Sequence, residues 1–287
     1  MPRRALLALL LLGGTWGAVY PLTSIALRGG LPPVWLITIR AAGAVVLLVP
    51  FAAATSGLRP LAARPLALIA ASLLQATIPL WLLTVAQQHV SAGVAGILST
   101  LQPVFTALVV AFLCRHLNVH AWTGIGVGAS GAVLLAGPAG GHTDLVAALM
   151  VVVSAALFAV GAVFIGETLV GIPSAGIAAA AMALTTITFL PVAIVTGPPA
   201  ELDPAAMFSA AALAILTAAP LALFYRLIRE VGAERAALAW YVAPAAAVVY
   251  DIPLAGLPSH SECAGLALVI LAVAITHRAN REVRSSA

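Results

Sequence analysis

The sequence has no lysine, only two cysteines, and few charged residues of either sign. Charged residues make up 8% of the 287 positions, whereas soluble domains carry about a quarter. With 63% hydrophobic residues, a soluble fold could not bury the apolar surface, so the composition indicates a chain surrounded by lipid. Cys114 and Cys263 are too few for a disulfide framework and lack the neighbours of a metal site, and no cofactor is predicted.

The basic residues are all arginines, and they are scattered singly along the chain. Nucleic-acid-binding proteins mass their basic residues on one face, so the net charge of +4 does not indicate a nucleic-acid partner. In membrane proteins, arginine favours cytoplasmic loops. Placing the N-terminus inside leaves Arg28 outside, Arg40 within the membrane and all other arginines on the cytoplasmic side, so both termini are predicted to be cytoplasmic.

Ten apolar stretches approach or reach the roughly 17–25 residues that a helix needs to cross a bilayer. Backbone groups in lipid must be paired internally, so each stretch is predicted to be a helix. The first stretch resembles a signal peptide but is interpreted as an uncleaved span, because further spans follow it directly. The fold class predicted is therefore an all-α membrane protein with ten transmembrane helices. The predicted spans are 5–27, 34–54, 66–87, 91–113, 121–137, 144–166, 175–196, 206–228, 235–256 and 263–277.

The second half of the chain repeats the first at an offset of 141 residues. Four prolines of the first half have a proline partner at that offset, which is more than chance coincidence provides. The pairs are Pro32–Pro173, Pro50–Pro191, Pro79–Pro220 and Pro103–Pro244. The chain therefore divides into repeats 1–140 and 141–287 with five spans each. Since five is odd, the second repeat must enter the membrane from the opposite side, as in many transporters.

A glycine motif in the predicted fifth span matches a dinucleotide-binding fingerprint by spacing alone. Gly126, Gly128 and Gly131 fit GxGxxG, but a nucleotide site needs a preceding strand, and these glycines lie inside an apolar stretch. Small residues at this density let two membrane helices approach closely. The same interpretation applies to Gly13 and Gly17 in the first span.

Several short segments, taken in order, resemble the two domain copies of EamA-type transporters of the drug/metabolite transporter superfamily. In the first half these are Trp16-Gly17, Pro32-Pro33, Arg40, residues 86–93 and residues 101–105; in the second they are residues 225–233 and 241–244. The resemblance implies ten helices, a central cavity between the repeats, and alternating-access transport of small metabolites. The family's Gly-Glu pair after the fourth and ninth spans is replaced here by Cys114-Arg115 and Ala255-Gly256.

Two charged residues fall clearly inside predicted spans. Arg40 and Asp251 each lie about six residues from the outer end of their span, roughly 9 Å deep. Charged groups in hydrocarbon face a cavity or a partner. The two residues could form a structural ion pair or snorkel outwards, or Arg40 could bind a substrate carboxylate while Asp251 serves as a gate or proton-coupling group.

The prolines within the third, fourth, eighth and ninth spans predict helix breaks. Pro79, Pro103, Pro220 and Pro244 cannot donate to the carbonyl four residues back. Polar residues accompany the first two breaks near the middle of the membrane, namely Gln75, Ser99 and Gln102. Broken helices with polar groups at this depth are typical of transporter binding sites, although a simple packing kink is the alternative.

Three aromatic residues are candidates to line the same site. Trp16 lies near the middle of its span, and Trp240 and Tyr241 lie nearer the cytoplasmic end of theirs. Tryptophan in membrane proteins more often sits at the interface, which is the alternative for each. We therefore predict that Trp16, Trp240 and Tyr241 line the substrate site, together with the polar residues above.

Together these features favour a secondary transporter or facilitator of a small organic metabolite in a bacterial-type inner membrane. Amino-acid export follows from the family resemblance together with one arginine suited to a carboxylate. A transporter of drugs or nucleotide-linked sugars is the nearer alternative, and a non-transporting receptor or scaffold is the more distant one. An intramembrane enzyme would need convergent acid–base groups or metal ligands, and Asp251 alone does not provide them.

Overall fold

The computed structural model describes residues 3–55, 58–113, 144–199 and 201–237, with scattered positions from 239 to 267. Within these ranges every regular element is helical, and seven helices are long and apolar enough to cross a membrane. The prediction of an all-helical membrane protein is therefore confirmed for the described part. The predicted span 121–137, and most of 235–256 and 263–277, lie outside the described residues, so the count of ten helices stays a prediction.

Four of the described spans come from the first half of the chain, and two of them are interrupted. The interruptions are a π-helical turn within the third span and two turn residues, Thr100 and Leu101, within the fourth. The elements are α1 (Arg3–Arg28), α2 (Pro33–Ala54), a 3-10 turn (Arg59–Ala63), α3 (Pro65–Ser72), the π turn (Leu73–Thr77), α4 (Ile78–Ala86), α5 (Ala92–Ser99) and α6 (Gln102–Leu113).

Three of the described spans come from the second half, and each is uninterrupted. These are α7 (Leu145–Thr168), α8 (Ser174–Thr196) and α9 (Pro204–Val231), and a short helix α10 (Ala233–Ala236) follows. Asp144 and Asp203 cap α7 and α9, each carboxylate accepting a hydrogen bond from a backbone N–H of the first turn. Gly197 and Gly232 end α8 and α9 with positive φ angles of 77° and 86°, a conformation that residues with a Cβ rarely adopt.

The packing of the helices follows the 141-residue offset. Helix α1 of the first half packs on α9 of the second half. The offset relates this pair to α7 and α4, which also pack on each other. The contacts of α2 with α9 and of α3 with α8 are related in the same way, and α2 packs along its own counterpart α8. Helices of the two halves therefore interleave, and the core of the protein is their shared interface.

Gly13 and Gly17 lie where α1 meets the described residues of the segment 239–247. A methyl group added at Gly17 would lie 2.5 Å from Ala246 Cβ and 2.7 Å from the Ala243 carbonyl oxygen. One added at Gly13 would collide with Val242. Their predicted role in close helix packing is confirmed, while Gly126, Gly128 and Gly131 lie outside the described residues.

Candidate functional site

A small cavity of about 40 Å³ lies between the two halves of the chain. A site needs about 10–15 Å³ of such volume to hold one water molecule, so this cavity has room for a few. Helices α1 and α2, the π turn and α4 contribute its walls from the first half, and α7, α8 and α9 from the second. The lining residues are Trp16, Val19, Tyr20, Arg40, Gln75, Leu80, Leu83, Phe158, Met182, Thr217 and Leu221.

Arg40 is the charged residue of this cavity, and its side chain joins the two halves. The residue is only 7% exposed, and its Nε donates a hydrogen bond of 2.6 Å to Thr217 Oγ1 on α9. The Thr217 hydroxyl in turn donates to the Leu213 carbonyl. Within the described ranges no carboxylate lies at salt-bridge distance from Arg40, and Asp251, which was predicted to lie at a matching depth, is outside them. The hydrogen bond to Thr217 uses Nε alone, so among the described residues the guanidinium keeps further N–H groups for a ligand.

The Arg40 guanidinium reaches deeper than its position in the sequence indicates. The Cα lies seven residues into α2, about 10 Å along the helix. Its hydrogen-bond partner Thr217 lies close to the midpoint of α9, thirteen residues after Pro204 and fourteen before Val231. The side chain thus extends from a shallow backbone position towards the middle of the bundle, where a charge needs a polar partner.

Gln75 reaches the cavity because the helix around it is widened. Pro79 has no N–H and its ring crowds the carbonyl of Gln75, and residues Leu73–Thr77 form a π turn in which Ile78 N–H bonds to the Leu73 carbonyl five residues back. The Gln75 side chain is 2% exposed, and its Oε1 has no hydrogen-bond partner among the residues that the structure describes. A buried acceptor without a donor is costly, so it is suited to receive a donor from a ligand or water.

Gly161 on α7 makes room for Gln75. A methyl group at this position would lie 2.8 Å from Gln75 Oε1 and 2.9 Å from its backbone nitrogen. The added methyl group would clash with both atoms unless the π turn moved and the Gln75 amide rotated. The glycine therefore fixes how closely α7 approaches the cavity, a role that the sequence alone did not reveal.

Trp16 and Tyr20 form one wall, one helical turn apart on α1. Trp16 packs edge-to-face on Phe224 of α9, with ring centroids 4.9 Å apart. The Tyr20 hydroxyl lies beside Ser99 and near Arg40, and the Tyr20 carbonyl accepts a hydrogen bond from Gln87 Nε2 at 3.0 Å. Sequence reasoning identified Trp16 but missed Tyr20. The signal available was its spacing of four residues from Trp16, just before a proline inside the helix.

The two polar residues predicted in the fourth span differ in placement. Ser99 ends α5 and lies next to Tyr20, and its hydroxyl donates to the Ala95 carbonyl at 2.7 Å. Gln102 begins α6 and is fully buried, and among the described residues neither of its side-chain polar atoms has a hydrogen-bond partner. Neither residue lines the cavity, but Ser99 lies next to Tyr20, which does.

The paired prolines do not have equal effects. Pro79 accompanies the π turn, and its own carbonyl accepts a hydrogen bond from Ser154 on α7. Pro103 follows the break between α5 and α6, while Pro220 lies inside the uninterrupted α9. No interruption of α9 accompanies Pro220, so a break there like those near Pro79 and Pro103 stays a prediction. Pro244, Trp240 and Tyr241 lie outside the described residues.

No group of three or more histidine, cysteine or acidic side chains in the described part of the chain could hold a metal ion. The polar groups that line the cavity are suited to binding a small molecule. One guanidinium, one unpaired amide oxygen and two hydroxyls lie among aromatic and aliphatic side chains. This combination can orient a small polar molecule and enclose its apolar part.

Comparison with known proteins gives a family and a fold. The model of the EamA-like transporter family matches residues 3–137 and again residues 145–278. A solved structure titled "Crystal structure of protein" superposes with a TM-score of 0.71 at 18% sequence identity, covering 96% of this chain and 98% of that one. No curated protein matches the chain.

Proposed function

The chain belongs to the EamA-like transporter family, and we propose that it is a secondary transporter that moves a small organic metabolite across the inner membrane by alternating access. The observation that carries this proposal is a buried arginine in a cavity that both halves of the chain line. Placing a cation at this depth costs free energy, so an intramembrane arginine usually marks a functional site. A receptor or scaffold has no need for such a group between the two halves.

We propose ten helices in two inverted repeats, 1–140 and 141–287. Support comes from the helix pairs, because shifting each pair by 141 residues gives another pair that is also in contact. The two matches of the family model, one in each half, support it as well. The spans that lie wholly or mostly outside the described residues would be 121–137, 235–256 and 263–277. In this arrangement Pro244, Trp240 and Tyr241 belong to the counterpart of the interrupted fourth span.

An amino acid is the substrate class we propose, with export as its direction. Arg40 would bind the carboxylate through its remaining N–H groups, and Gln75 Oε1 would accept a hydrogen bond from the ammonium group. Leu80, Phe158 and Leu221 would surround an apolar side chain. Drugs and nucleotide-linked sugars are the alternative substrates, and they require a much larger opening of the cavity.

The cavity must widen during transport, because about 40 Å³ does not accommodate an amino acid. Widening would separate α2 from α9, the helices that the Arg40–Thr217 hydrogen bond joins. A substrate carboxylate that competes for Arg40 would weaken this bond. Binding would thereby be coupled to movement of one half against the other, as alternating access requires.

Uptake of a pool of labelled amino acids into proteoliposomes tests the proposed substrate class. Wild-type protein should accumulate label, and Arg40→Ala and Arg40→Gln should reduce uptake at least about tenfold, as expected for loss of a charge-assisted hydrogen bond. Arg28→Ala is the matched control, because Arg28 lies at the end of α1 outside the cavity. Absence of uptake by correctly folded wild-type protein would reject amino acids as substrates.

Asp251 is proposed to couple transport to protons, because it is the one acid predicted inside a span. The same assay with and without an imposed pH gradient tests this. Asp251→Asn should abolish the dependence of uptake on the gradient while leaving exchange without a gradient measurable. A variant that transports normally and remains gradient-dependent would refute the proposal.

A further inference from the structure

A second, much larger cavity lies away from the central site, as a crevice of about 990 Å³. It is bounded by the C-terminal half of α2, the end of α7, the start of α8 and one face of α9. None of its lining residues lines the central cavity. The crevice is therefore a separate feature of the molecule.

The crevice runs lengthwise along α9. Its lining positions on that helix extend from Ile215 to Glu230 at helical spacing, which is about 22 Å along the axis. The apolar end lies near the middle of α9 and the charged end at its C-terminus. A groove of this length spans about one leaflet of a bilayer, whose full hydrocarbon core is about 30 Å thick.

The walls of the crevice are apolar and open to the surroundings of the helices. Leu47, Phe51 and Ile215 are 47%, 57% and 60% exposed. Gly166, Ala219 and other small residues along it leave space for a ligand between the larger side chains. Because these residues belong to membrane-spanning helices, the medium that meets them is acyl chains.

Two arginines lie at the charged end. Arg226 Nε bonds to Glu230 Oε1 at 2.6 Å, and Arg229 Nη1 donates to the Ile172 carbonyl at 2.8 Å. Each guanidinium has five N–H donors, so both retain donors after these bonds. With Glu230 the cluster has a net charge of +1, which favours an anionic headgroup.

We propose that this crevice binds an anionic phospholipid of the leaflet that adjoins Arg226 and Arg229. One acyl chain lies along α9 between α2 and α8, and the phosphate accepts hydrogen bonds from the two guanidinium groups. Because the crevice joins α2 of the first half to three helices of the second, a bound lipid contacts both halves. The proposal does not depend on which substrate the central cavity takes.

Native mass spectrometry of the full-length protein in detergent tests the proposal, with phosphatidylglycerol and phosphatidylethanolamine as probes. Wild-type protein should retain phosphatidylglycerol preferentially. The double variant Arg226→Gln/Arg229→Gln should lower its retention about tenfold. The control Arg59→Gln/Arg235→Gln, which removes two exposed arginines outside the crevice, should leave retention unchanged.

A steric variant keeps the test independent of charge. Ala219 is exposed within the crevice, so Ala219→Phe should fill it and reduce phosphatidylglycerol retention several-fold without disturbing the core. Ala211→Phe, on the same helix but outside the crevice, should have no effect. Equal retention of both lipids, unchanged retention in the arginine or Ala219 variants, or displacement of the lipid by soluble glycerol 3-phosphate would each overturn the proposal.

Discussion

Among single residues, Arg40 shows most clearly how a charge is accommodated between the two halves. Its position in the second span made it a candidate from sequence, because ionisable residues in membrane helices rarely lack a role. Matching depth made a contact with Asp251 possible, and Asp251 lies outside the described residues; among the described ones, the Thr217 hydroxyl lies 2.6 Å from Nε. The position of a residue within a predicted span gives the depth of its Cα. The hydrogen-bond partner of a long side chain depends on groups that come near it only in the folded protein.

The Arg40–Thr217 bond leads to a prediction at the residue scale. Thr217→Val keeps the shape of the side chain but leaves the buried Arg40 Nε without this acceptor, at a cost of about 1–3 kcal/mol. We expect a lower unfolding temperature in detergent and reduced uptake. Thr217→Ser retains the hydroxyl and should behave nearly like wild type. Equal behaviour of the valine and serine variants would show that the bond is unimportant.

Gly161 provides a second residue-scale prediction. Gly161→Ala should displace Gln75, because the added methyl would lie 2.8 Å from Oε1, and it should raise the KM for uptake at least severalfold. Gly166→Ala on the same helix is the control, since its methyl would lie 3.4 Å from Ile228 Cγ2, an ordinary contact. An unchanged KM in Gly161→Ala would remove Gln75 from the proposed binding site.

At the scale of elements, the sequence predicted helices better than interruptions. The predicted spans 34–54 and 206–228 correspond to helices Pro33–Ala54 and Pro204–Val231, because apolar length and flanking turn residues mark helix ends well. The break at Pro103 was foreseen, but the π turn before Pro79 was not specified, and Pro220 leaves α9 uninterrupted. Proline removes one hydrogen bond in every case, and the surrounding packing determines how the helix adapts.

Close packing of α1 against the segment 239–247 gives a prediction at this scale. Gly17→Ala should destabilise the protein by about 1–3 kcal/mol, because the added methyl would lie 2.5 Å from Ala246 Cβ. Gly14→Ala should be neutral or slightly stabilising, since no atom of the described residues lies within 4 Å of the methyl it would add. Thermal unfolding of the two purified variants compares them directly. Similar losses in both would mean that the contact is not tight in solution.

At the scale of the whole molecule, the internal repeat was the most informative sequence feature. The proline pairs at an offset of 141 residues predicted that the halves correspond, and the pairings α1–α9 and α4–α7 follow the same offset. The cavity between the halves was an expectation from the family resemblance. Its small volume and most of its lining could not be predicted, because they depend on how helices far apart in sequence pack together.

The arginine distribution predicts the orientation of the whole chain. Both termini should be cytoplasmic, because nearly all arginines then lie on the cytoplasmic side. A C-terminal fluorescent protein fusion should fluoresce, and a C-terminal alkaline phosphatase fusion should be inactive. The opposite pattern would contradict the orientation and assign the crevice at Arg226 and Arg229 to the outer leaflet.

The central claim is that the cavity at Arg40 carries substrate by alternating access, and substrate counterflow tests it most directly. Proteoliposomes preloaded with an unlabelled amino acid that the protein takes up should accelerate the entry of its labelled form, because a carrier returns faster when loaded. The acceleration should be lost in Arg40→Gln and kept in Arg28→Ala. Entry that is indifferent to internal substrate, or acceleration that survives the loss of Arg40, would contradict the account.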